Sequence, residues 1–417
     1  MDNAGPPGIV RAMDHDALIA GGGLNGTALA LALASGGLRV GLVDPLAASV
    51  RSGAGFDGRS YALSLGSVNL LRALGIWFEL EGDAQPILAI RVSDGHAGQG
   101  ASPLALAFDH AEIEEGPMGH MVEDRHLRPA LLRAVERAGI ALYDRRAAVA
   151  HAADPTGIRA TLDDGTEVRA RLLVGCDGKR SPTAVRAGIG RMTWGYGQTG
   201  MVAAISHGRP HEGTAHQFFM PEGPLAILPL TGNRSSIVWT ERADRAEAVA
   251  ALDDAAYLET LRPRFGDFLG DIALAGSRFS YPLGLSLAHR MAGDRVALVG
   301  DAAHAVHPIA GQGLNAGLKD VGALAEVLVE ARRRGEDIGR ADVLERYQRW
   351  RRWDVATLAL ATDGFNRLFS NDNPFLRLAR DAGLAMINAW PEARRGFIRE
   401  AAGLTGDRPR LLAGRPL

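Results

Sequence analysis

Two histidines, two aspartates and several glycines lie close together in the stretch GDAAHAVHPIAGQGLNAGLKDV, which runs from Gly300 to Val321. Two kinds of chemistry would suit these residues. Asp301, His304 and His307 are residue types that bind metal ions. Alternatively, the glycines form a turn that brings bare backbone close to a flat ligand, directly before a helix.

The rest of the sequence disfavours the metal site. The chain has one cysteine, Cys176, and no other cluster of cysteine and histidine residues. The GQGLN segment after the histidines also lacks a set of metal ligands. We therefore predict no metal site and expect His304 to cap a turn or to lie in the core. For His307 an active-site role and a structural role both stay open, since Pro308 restricts it to an extended conformation.

A nucleotide-binding pattern lies near the N-terminus. Ala17–Ala20 and Arg39–Val43 are predicted strands, and Leu24–Ser35 between them has the small residues of a closely packed helix. The turn before the helix has the G-x-G-x-x-G pattern, whose glycines permit a tight turn, the approach of a pyrophosphate, and helix packing on the strand. Asp44 ends the second strand, where a carboxylate can bind ribose hydroxyls. The predicted contacts of the turn and helix are Gly21, Gly22, Gly23, Leu24, Asn25 and Gly26.

Two later strands each end in an aspartate beside a glycine. The strand Leu172–Gly175 leads to Asp177, and the strand Ala297–Gly300 leads to Asp301. We expect these carboxylates at the carboxyl edge of one parallel sheet, where open α/β sheets bind ligands. An NAD dehydrogenase with a single Rossmann unit has no use for these two motifs.

Composition limits the class of protein. A chain of 417 residues predicts two domains, or one domain with a large insertion. A hydrophobic content of 47% and a charged content of 23% are typical of a soluble protein, and the net charge of −2 gives no reason to expect nucleic acid. The single cysteine fits a reducing compartment. Since neither a signal peptide nor a membrane span is evident, we expect a cytoplasmic location.

These motifs resemble the three FAD fingerprints of the aromatic-hydroxylase flavoproteins, whose prototype is para-hydroxybenzoate hydroxylase. The sequence is more similar still to the ubiquinone-biosynthesis hydroxylases, and the similarity extends over essentially the whole chain from about residue 14. The segments that carry it are Asp57–Trp77, Trp194–Gly200, Gly223–Leu230, His307–Asp320, Ala361–Ser370 and Pro409–Leu417. The tryptophan-x-tryptophan-x-isoleucine signature of flavin halogenases is absent from the sequence.

The resemblance implies that FAD is bound without a covalent link. Asp301 would hold the ribityl chain of FAD. Leu314 and Asn315 would begin a helix whose positive end faces the pyrimidine ring and stabilises reduced flavin. The loop implied to pass beneath the isoalloxazine ring comprises Pro308, Gly311, Gln312 and Gly313. The other positions at which the resemblance implies FAD contacts are Arg59, Arg125, Asp177 and Gly300.

The chain departs from the family at one position. In the family an arginine usually follows the aspartate of the Asp-Gly motif by seven places, but Ala184 occupies this position here. Ser181 fits the pattern, whereas Arg186 lies on a different helix face and Arg180 lies nearby. We do not transfer the family's arginine contact, and an altered path for the nicotinamide nucleotide stays open.

The resemblance also implies a reaction. NAD(P)H, or an electron-transfer protein, would reduce FAD, and the reduced flavin would add O₂ to form a C4a-hydroperoxide. This species would hydroxylate the aromatic ring of a polyprenylated phenol while the protein orients the ring and excludes water. A base that forms the phenolate would help, and Tyr196, Gln198, His216 and His307 are candidates that the sequence does not rank.

Two other functions stay open at this point. One is a flavoprotein of the same fold that acts on another aromatic or isoprenoid substrate. The other is a non-catalytic subunit of a biosynthetic assembly that retains FAD. The intact GQGLN segment argues against the second, and the sequence does not predict an oligomeric state.

The predicted fold is α/β: a Rossmann-type FAD-binding domain, an inserted and largely antiparallel β-sheet domain that binds substrate, and a C-terminal helical region. Alternating segments such as LAIRVS and LAILPL predict the strands of the inserted sheet, and Val122–Gly139 is a predicted amphipathic helix. The predicted boundaries are 1–13 for a disordered extension, 14–84, 121–186 and 286–345 for the FAD-binding domain, 85–120 and 187–285 for the substrate domain, and 346–417 for the helical region.

The helical region has two interpretations. A polyprenylated substrate stays in the bilayer, so a cationic and apolar surface here would dock peripherally on the inner face of the cell membrane or on other ubiquinone-biosynthesis proteins. Alternatively, its apolar residues pack on the FAD-binding domain. The apolar residues concerned are Phe375, Leu376, Leu378, Ala379, Leu384, Ile387, Trp390, Phe397 and Ile398, and the cations are Arg377, Arg380, Arg394, Arg395 and Arg399.

Overall fold

The computed structural model of the chain describes residues 13–53, 55–96, 100–101, 106–220, 223–306, 312–369 and 390–417. The extension predicted over residues 1–13 lies outside these ranges except for Met13. His307, Pro308 and Gly311 of the predicted active-site loop also lie outside them, as do residues 370–389 of the predicted helical region.

The described residues form strands and helices throughout the chain. The strands are β1 (His15–Ala20), β2 (Val40–Asp44), β3 (Ser60–Ser64), β4 (Gln85–Ile87), β5 (Ala89–His96), β6 (Gly100–Ala101), β7 (Leu106–Asp109), β8 (Gly119–Glu123), β9 (Ala141–Asp144), β10 (Ala148–Asp154), β11 (Gly157–Leu162), β12 (Glu167–Gly175), β13 (Arg191–His207), β14 (Thr214–Phe219), β15 (Leu225–Leu230), β16 (Arg234–Arg242), β17 (Ile272–Leu274), β18 (Phe279–Ala288), β19 (Ala292–Gly293), β20 (Val296–Leu298) and β21 (His304–Ala305). The helices are α1 (Leu24–Ser35), α2 (Ala48–Arg51), α3 (Leu65–Ala73), α4 (Asp124–Arg137), α5 (Pro182–Arg186), α6 (Ala243–Ala250), α7 (Asp254–Phe265), α8 (Gln312–Arg333), α9 (Ala341–Phe369) and α10 (Pro391–Ala401).

The first sheet has a parallel centre. Its strand order is β10-β11-β12-β1-β2-β9, and β20 pairs in parallel with the second half of β12. The register places Ala20 beside Val43 and Gly175, and Gly175 beside Leu298. The carboxyl ends of these four strands therefore meet at one edge, and the sequence prediction of such an edge is confirmed.

Helix α1 packs on this sheet and against α8. Every residue from Gly26 to Leu33 is buried, because the helix is made of small and aliphatic residues without a polar face. The helix occupies the residues that the sequence predicted. All strands of the first sheet fall within the ranges predicted for the FAD-binding domain, although the domain boundaries stay a prediction.

The second sheet is largely antiparallel, as the sequence predicted. Its order is β21-β18-β13-β16-β15-β14-β5-β6, with β7 and β17 paired at its sides, and only β14 and β5 run parallel. Helices α6 and α7 pack on it, and together they bury Trp239, Tyr257 and Phe265. These two helices within residues 187–285 were not predicted from the sequence.

A small sheet and the C-terminal helices join the two larger sheets. Strands β3, β8 and β4 form a three-stranded antiparallel sheet. The buried side chains of Ile87, Met118 and Ala204 belong to one cluster that also includes Ile398 of α10. Among the described residues, no helix is both long and apolar enough to cross a membrane.

Candidate functional site

The glycine turn after β1 leaves open space at one of its three motif glycines. Gly21 has φ +107°, and a Cβ atom there would overlap the carbonyl oxygen of Cys176. A Cβ atom at Gly26 would overlap the carbonyl oxygen of Gly21. A Cβ atom at Gly23 would meet no atom within 4 Å. The packing of the protein therefore requires the outer two glycines, whereas the middle glycine borders space that a phosphate could enter.

Asp44 faces the glycine turn from the end of β2. Its Oδ2 accepts a hydrogen bond from the backbone N–H of Gly22 at 2.6 Å, and its Oδ1 accepts one from Leu46 at 2.8 Å. Arg51, which the sequence analysis missed, donates to the carbonyl oxygen of Gly22 at 2.8 Å. Asp44 and Arg51 therefore hold the turn from one side, while the ribose contact of Asp44 stays a prediction. No motif in the sequence connects Arg51 to this turn.

Asp177 binds its own loop. Its Oδ2 accepts a hydrogen bond from the N–H of Thr183 at 2.9 Å, and its Oδ1 accepts one from the hydroxyl of Ser181. The carboxylate therefore stabilises the start of α5. Ala184, at the position of the family's arginine, is fully buried, so a long cationic side chain does not fit here.

Among the three aspartates that follow strands of the first sheet, Asp44, Asp177 and Asp301, the last has the carboxylate most available to a ligand. It lies in a short 3₁₀ turn, Gly300–Ala302, directly after β20, and its side chain is exposed to a cavity. Within the described part of the chain, its carboxylate has no hydrogen bond or ion pair. Desolvation by the surrounding protein raises the pKa of the Asp301 carboxyl, and the charges of His304 and Lys179 oppose this effect.

Helix α8 begins beside this turn. Its described residues start at Gln312, two residues before the predicted start at Leu314. A Cβ atom at Gly313 would meet no atom within 4 Å, so Gly313 also borders open space. The first N–H groups of a helix are free to bind a ligand and carry a partial positive charge.

Asn315 attaches α8 to the small sheet. Its Oδ1 accepts hydrogen bonds from the N–H of Ser64 at 2.9 Å and the hydroxyl of Ser67 at 2.7 Å. Its Nδ2 donates to the carbonyl oxygen of Ala62 at 2.8 Å. The side chain of Asn315 thus fixes the position of α8. The contact of Asn315 with the cofactor stays a prediction.

One cavity of about 940 Å³ connects these elements. This volume lies at the upper end of the range for small-molecule sites. The residues of the predicted site that line this cavity are Gly23, Leu24, Asn25, Arg59, Asp301, Gly313 and Leu314. The other predicted residues in the described ranges do not line the cavity. They are Gly21, Gly22, Gly26, Asp44, Arg125, Asp177, Gly300, Gln312 and Asn315. The described residues contain no cluster of three or more potential metal ligands.

The two predicted arginines differ in position. Arg59 lines the cavity, and its Nη2 lies 2.7 Å from Oδ2 of Asp57. Arg125 donates from Nε to Glu123 at 2.6 Å, and its guanidinium carbon lies 5.2 Å from the ring centroid of Phe56. The structure thus brings Arg59, but not Arg125, to the cavity.

The second sheet supplies an apolar wall of the cavity. The wall residues are Val202, Ala226, Leu228, Val238, Phe279, Pro282 and Leu283. Ser236, Ser280 and Tyr281 are the polar residues that this sheet adds to the wall, and no sequence motif indicates them. Burial raises the pKa of the Tyr281 hydroxyl, so this group is neutral near pH 7.

The candidate bases do not line the described cavity. Tyr196 and Gln198 lie on β13, and His216 packs against Phe268 with ring centroids 4.6 Å apart. Burial lowers the pKa of His216 to about 4, so this histidine is neutral near pH 7. His307, the fourth candidate, lies outside the described residues.

The residues around the cavity fit a dinucleotide that carries a flat ring system. The N-terminus of α1 offers N–H groups suited to phosphates, and Asp301 offers an acceptor for hydroxyl groups. The N-terminus of α8 presents bare backbone at Gly313, where a ring can approach closely. These are the contacts that FAD requires.

Comparisons with known proteins agree with this chemistry. Residues 14–361 match the family model described as "FAD binding domain". The chain is 47% identical to the ubiquinone hydroxylase UbiL of Rhodospirillum rubrum over 96% of this chain and 93% of that protein. It is 34% identical to the 3-demethoxyubiquinol 3-hydroxylase of Escherichia coli, over 93% of this chain and 98% of that protein.

Solved structures share the fold. The p-nitrophenol 4-monooxygenase PnpA of Pseudomonas putida superposes with a TM-score of 0.78 at 19% sequence identity, covering 95% of this chain and 99% of that chain. Aklavinone-11 hydroxylase in complex with FAD and aklavinone gives a TM-score of 0.66 at 24% identity, covering 84% of this chain and 68% of that chain. At these identities the likeness establishes the fold.

The availability of Asp301 leads to a first prediction. Asp301→Ala removes the carboxylate that would accept hydrogen bonds from the ribityl hydroxyls of FAD, and such charge-assisted bonds contribute about 1.5–3 kcal/mol. We expect the Kd for FAD, measured by fluorescence titration, to rise roughly 10- to 100-fold. Asp294→Ala, which removes an exposed carboxylate near β19, is the control and should leave the Kd unchanged. An unchanged Kd in Asp301→Ala would contradict the assignment.

Proposed function

We propose, because this chain belongs to the family of FAD-dependent aromatic hydroxylases, that it hydroxylates the aromatic ring of a polyprenylated phenol in ubiquinone biosynthesis. One observation carries the proposal: a single cavity joins the glycine turn, Asp301 and the N-terminus of α8 to an apolar wall. The first three elements suit FAD, and the wall suits a substrate with a long hydrocarbon chain.

FAD is the cofactor, with NAD(P)H as reductant and O₂ as co-substrate. Bound FAD, once reduced, supplies the activated oxygen of which one atom is transferred to the ring. We propose that FAD is held without a covalent bond, by the free N–H groups of Leu24 and Asn25 at its phosphates and by Asp301 at its ribityl hydroxyls.

The N-terminus of α8 has an electrostatic role in this proposal. Its free N–H groups and the positive end of its dipole favour negative charge nearby. With FAD bound, the N-terminus of α8 would therefore stabilise the negative charge of the reduced flavin. Gly313 allows this approach because it places no side chain between the helix and the ring. Pro308 and Gly311, which the resemblance also implies at the flavin, lie outside the described residues, and Gln312 does not line the cavity.

The second sheet orients the substrate and excludes water. Val202, Val238 and Phe279 contribute apolar surface that receives the polyprenyl chain and keeps water from the reacting atoms. Tyr281 and Ser236 offer hydroxyl groups to the phenol oxygen in the same wall. Since Tyr281 is neutral near pH 7, it can donate a hydrogen bond that stabilises the phenolate.

The reaction can be tested directly. Purified protein is incubated with a polyprenylphenol, NAD(P)H and ¹⁸O₂, and the product is analysed by mass spectrometry. We expect one added ¹⁸O atom in the product, and NADH, NADPH and prenyl chains of different length are compared in the same assay. The proposed function would be overturned if NAD(P)H were consumed but none of the phenols tested gained an ¹⁸O atom. The same mixture under nitrogen is the control.

We also propose that α10 contacts the membrane in which such a substrate resides. Trp390, directly before α10, and Phe397 within it have 60% and 45% of their surface exposed. Arg395, between them in the sequence, is exposed and has no ion pair within the described residues. An exposed aromatic pair with a free cation is suited to the headgroup region of an anionic membrane.

The structure limits this surface to part of the predicted one. Arg394 pairs with Glu112 and Arg399 with Glu115, each at 2.7 Å, so these two cations are bound within the protein. Ile398 is fully buried and attaches α10 to the core. The packing interpretation therefore holds for one face of α10, and the membrane contact rests on the other.

Vesicle binding tests this contact. We expect full-length protein to co-sediment with vesicles of phosphatidylethanolamine and phosphatidylglycerol. The double variant Trp390→Ser with Phe397→Ser should reduce the bound fraction several-fold without loss of FAD, because both apolar anchors are removed. The double variant Leu46→Ser with Val50→Ser changes two exposed apolar residues elsewhere and should bind as wild type does. Equal binding of all three proteins would contradict the contact.

A further inference from the structure

A buried cluster of charged groups lies directly behind the Asp301 turn. Asp320 of α8 is fully buried, and its Oδ2 accepts hydrogen bonds from the N–H of Gly300 at 2.9 Å and from Nε2 of His304 at 2.6 Å. Its Oδ1 accepts one from Nε of Arg351 at 2.7 Å. A buried carboxylate is stable only when its oxygens are well paired, so this cluster strongly favours one arrangement.

Helix α9 extends the cluster and holds the strand before the turn. The hydroxyl of Tyr347 donates to the carbonyl oxygen of Leu298, the last residue of β20, at 2.8 Å. Arg351, one helical turn later, also pairs with Asp354, which in turn binds Lys319 of α8 at 2.6 Å. The end of β20 and the turn that follows it are therefore attached to both α8 and α9.

Arg191 holds the same turn from the opposite side. It belongs to β13 of the second sheet, and its Nη2 donates to the carbonyl oxygen of Asp301 at 3.1 Å. Its Nη1 donates to the carbonyl oxygen of Ala302, and its Nε donates to the hydroxyl of Ser286 at 3.0 Å. Arg191 does not line the cavity. Its guanidinium therefore acts on the backbone of the turn.

These contacts occupy the backbone of the turn and leave the Asp301 side chain free. The N–H of Gly300 and the carbonyl oxygens of Asp301 and Ala302 all have partners, whereas the carboxylate of Asp301 has none among the described residues. Burial alone would raise the pKa of the Asp320 carboxyl, but the His304 and Arg351 charges hold it below the ordinary value, so Asp320 is ionised.

We propose that Asp320 and Arg191 are positioning residues, which fix the turn so that the Asp301 carboxylate is oriented for FAD before FAD binds. The inference rests on the proposed function, since it takes FAD as the ligand of Asp301. A group that is already oriented loses little conformational entropy on binding, so the ligand is held more tightly. His304 acts through Asp320, in agreement with the structural role expected from the sequence.

The rate of FAD release from the holoenzyme tests this proposal. Release is followed by the rise of flavin fluorescence after dilution. We expect Arg191→Met and Asp320→Asn each to accelerate release about tenfold, because either change frees the turn. Arg191→Lys, which can still donate to a carbonyl oxygen, should release FAD more slowly than Arg191→Met and closer to the wild-type rate. Arg159→Met, which removes an exposed arginine of β11, is the control and should release FAD as wild type does.

A double variant separates positioning from general stability. In the Asp301→Ala background, Arg191→Met should cause no further acceleration, because Arg191 acts through Asp301. An equal acceleration in both backgrounds would overturn the proposal, and so would a wild-type release rate in Arg191→Met. If Asp301→Ala itself releases FAD at the wild-type rate, the proposed FAD contact fails instead. Arg191 is only partly buried, so its variants decide the question even if Asp320→Asn does not fold.

Discussion

The carboxyl ends of β1, β2, β12 and β20 meet at one edge because these strands pair in parallel and in register. Each strand continues into a loop at that edge, so residues far apart in sequence are brought together there. The glycine turn, Asp44, Asp177 and Asp301 all follow from this single pairing. The rest of the cofactor site depends on it, because α8 reaches the same edge through the hydrogen bond between Asp320 and Gly300.

The second sheet supplies the apolar surface and the hydroxyl groups that the first sheet lacks. The edge of the first sheet and the start of α8 offer N–H groups, a carboxylate and bare backbone, which suit a polar and flat cofactor. The second sheet adds an apolar wall and three hydroxyl-bearing side chains, Ser236, Ser280 and Tyr281. Arg191 links the two sheets at the Asp301 turn, so the position of the carboxylate depends on both.

Local patterns were the part of the structure that the sequence predicted well. Helix α1 occupies the predicted residues because its limits are set by the glycine turn and by a continuous run of small residues. Helices α6 and α7 were missed among the strands of the second sheet, although Asp253 caps α7 by accepting a hydrogen bond from Ala256 at 2.9 Å. Such a cap is readable in a sequence, but flanking strands weaken the signal.

Contacts between distant residues could not be predicted. Arg51, Arg191 and Arg351 are ordinary arginines in the sequence, and only the folded chain places them beside Gly22, Asp301 and Asp320. Asp177 and Asp301 follow equivalent strands beside a glycine. They differ because Ser181 and Thr183 satisfy the first carboxylate locally.

If a flavin ring lies against the bare backbone at the start of α8, a side chain at Gly313 cannot be accommodated, so Gly313→Val is the decisive variant. The measured quantity is the substrate-stimulated rate of NAD(P)H oxidation, with the melting temperature recorded for each protein. We predict an unchanged melting temperature and a loss of rate of about a hundredfold, because the side chain would displace the ring. Gly396→Val, which also adds a side chain where no atom lies within 4 Å, should keep the wild-type rate. A wild-type rate in Gly313→Val would show that no flavin ring lies against this part of α8.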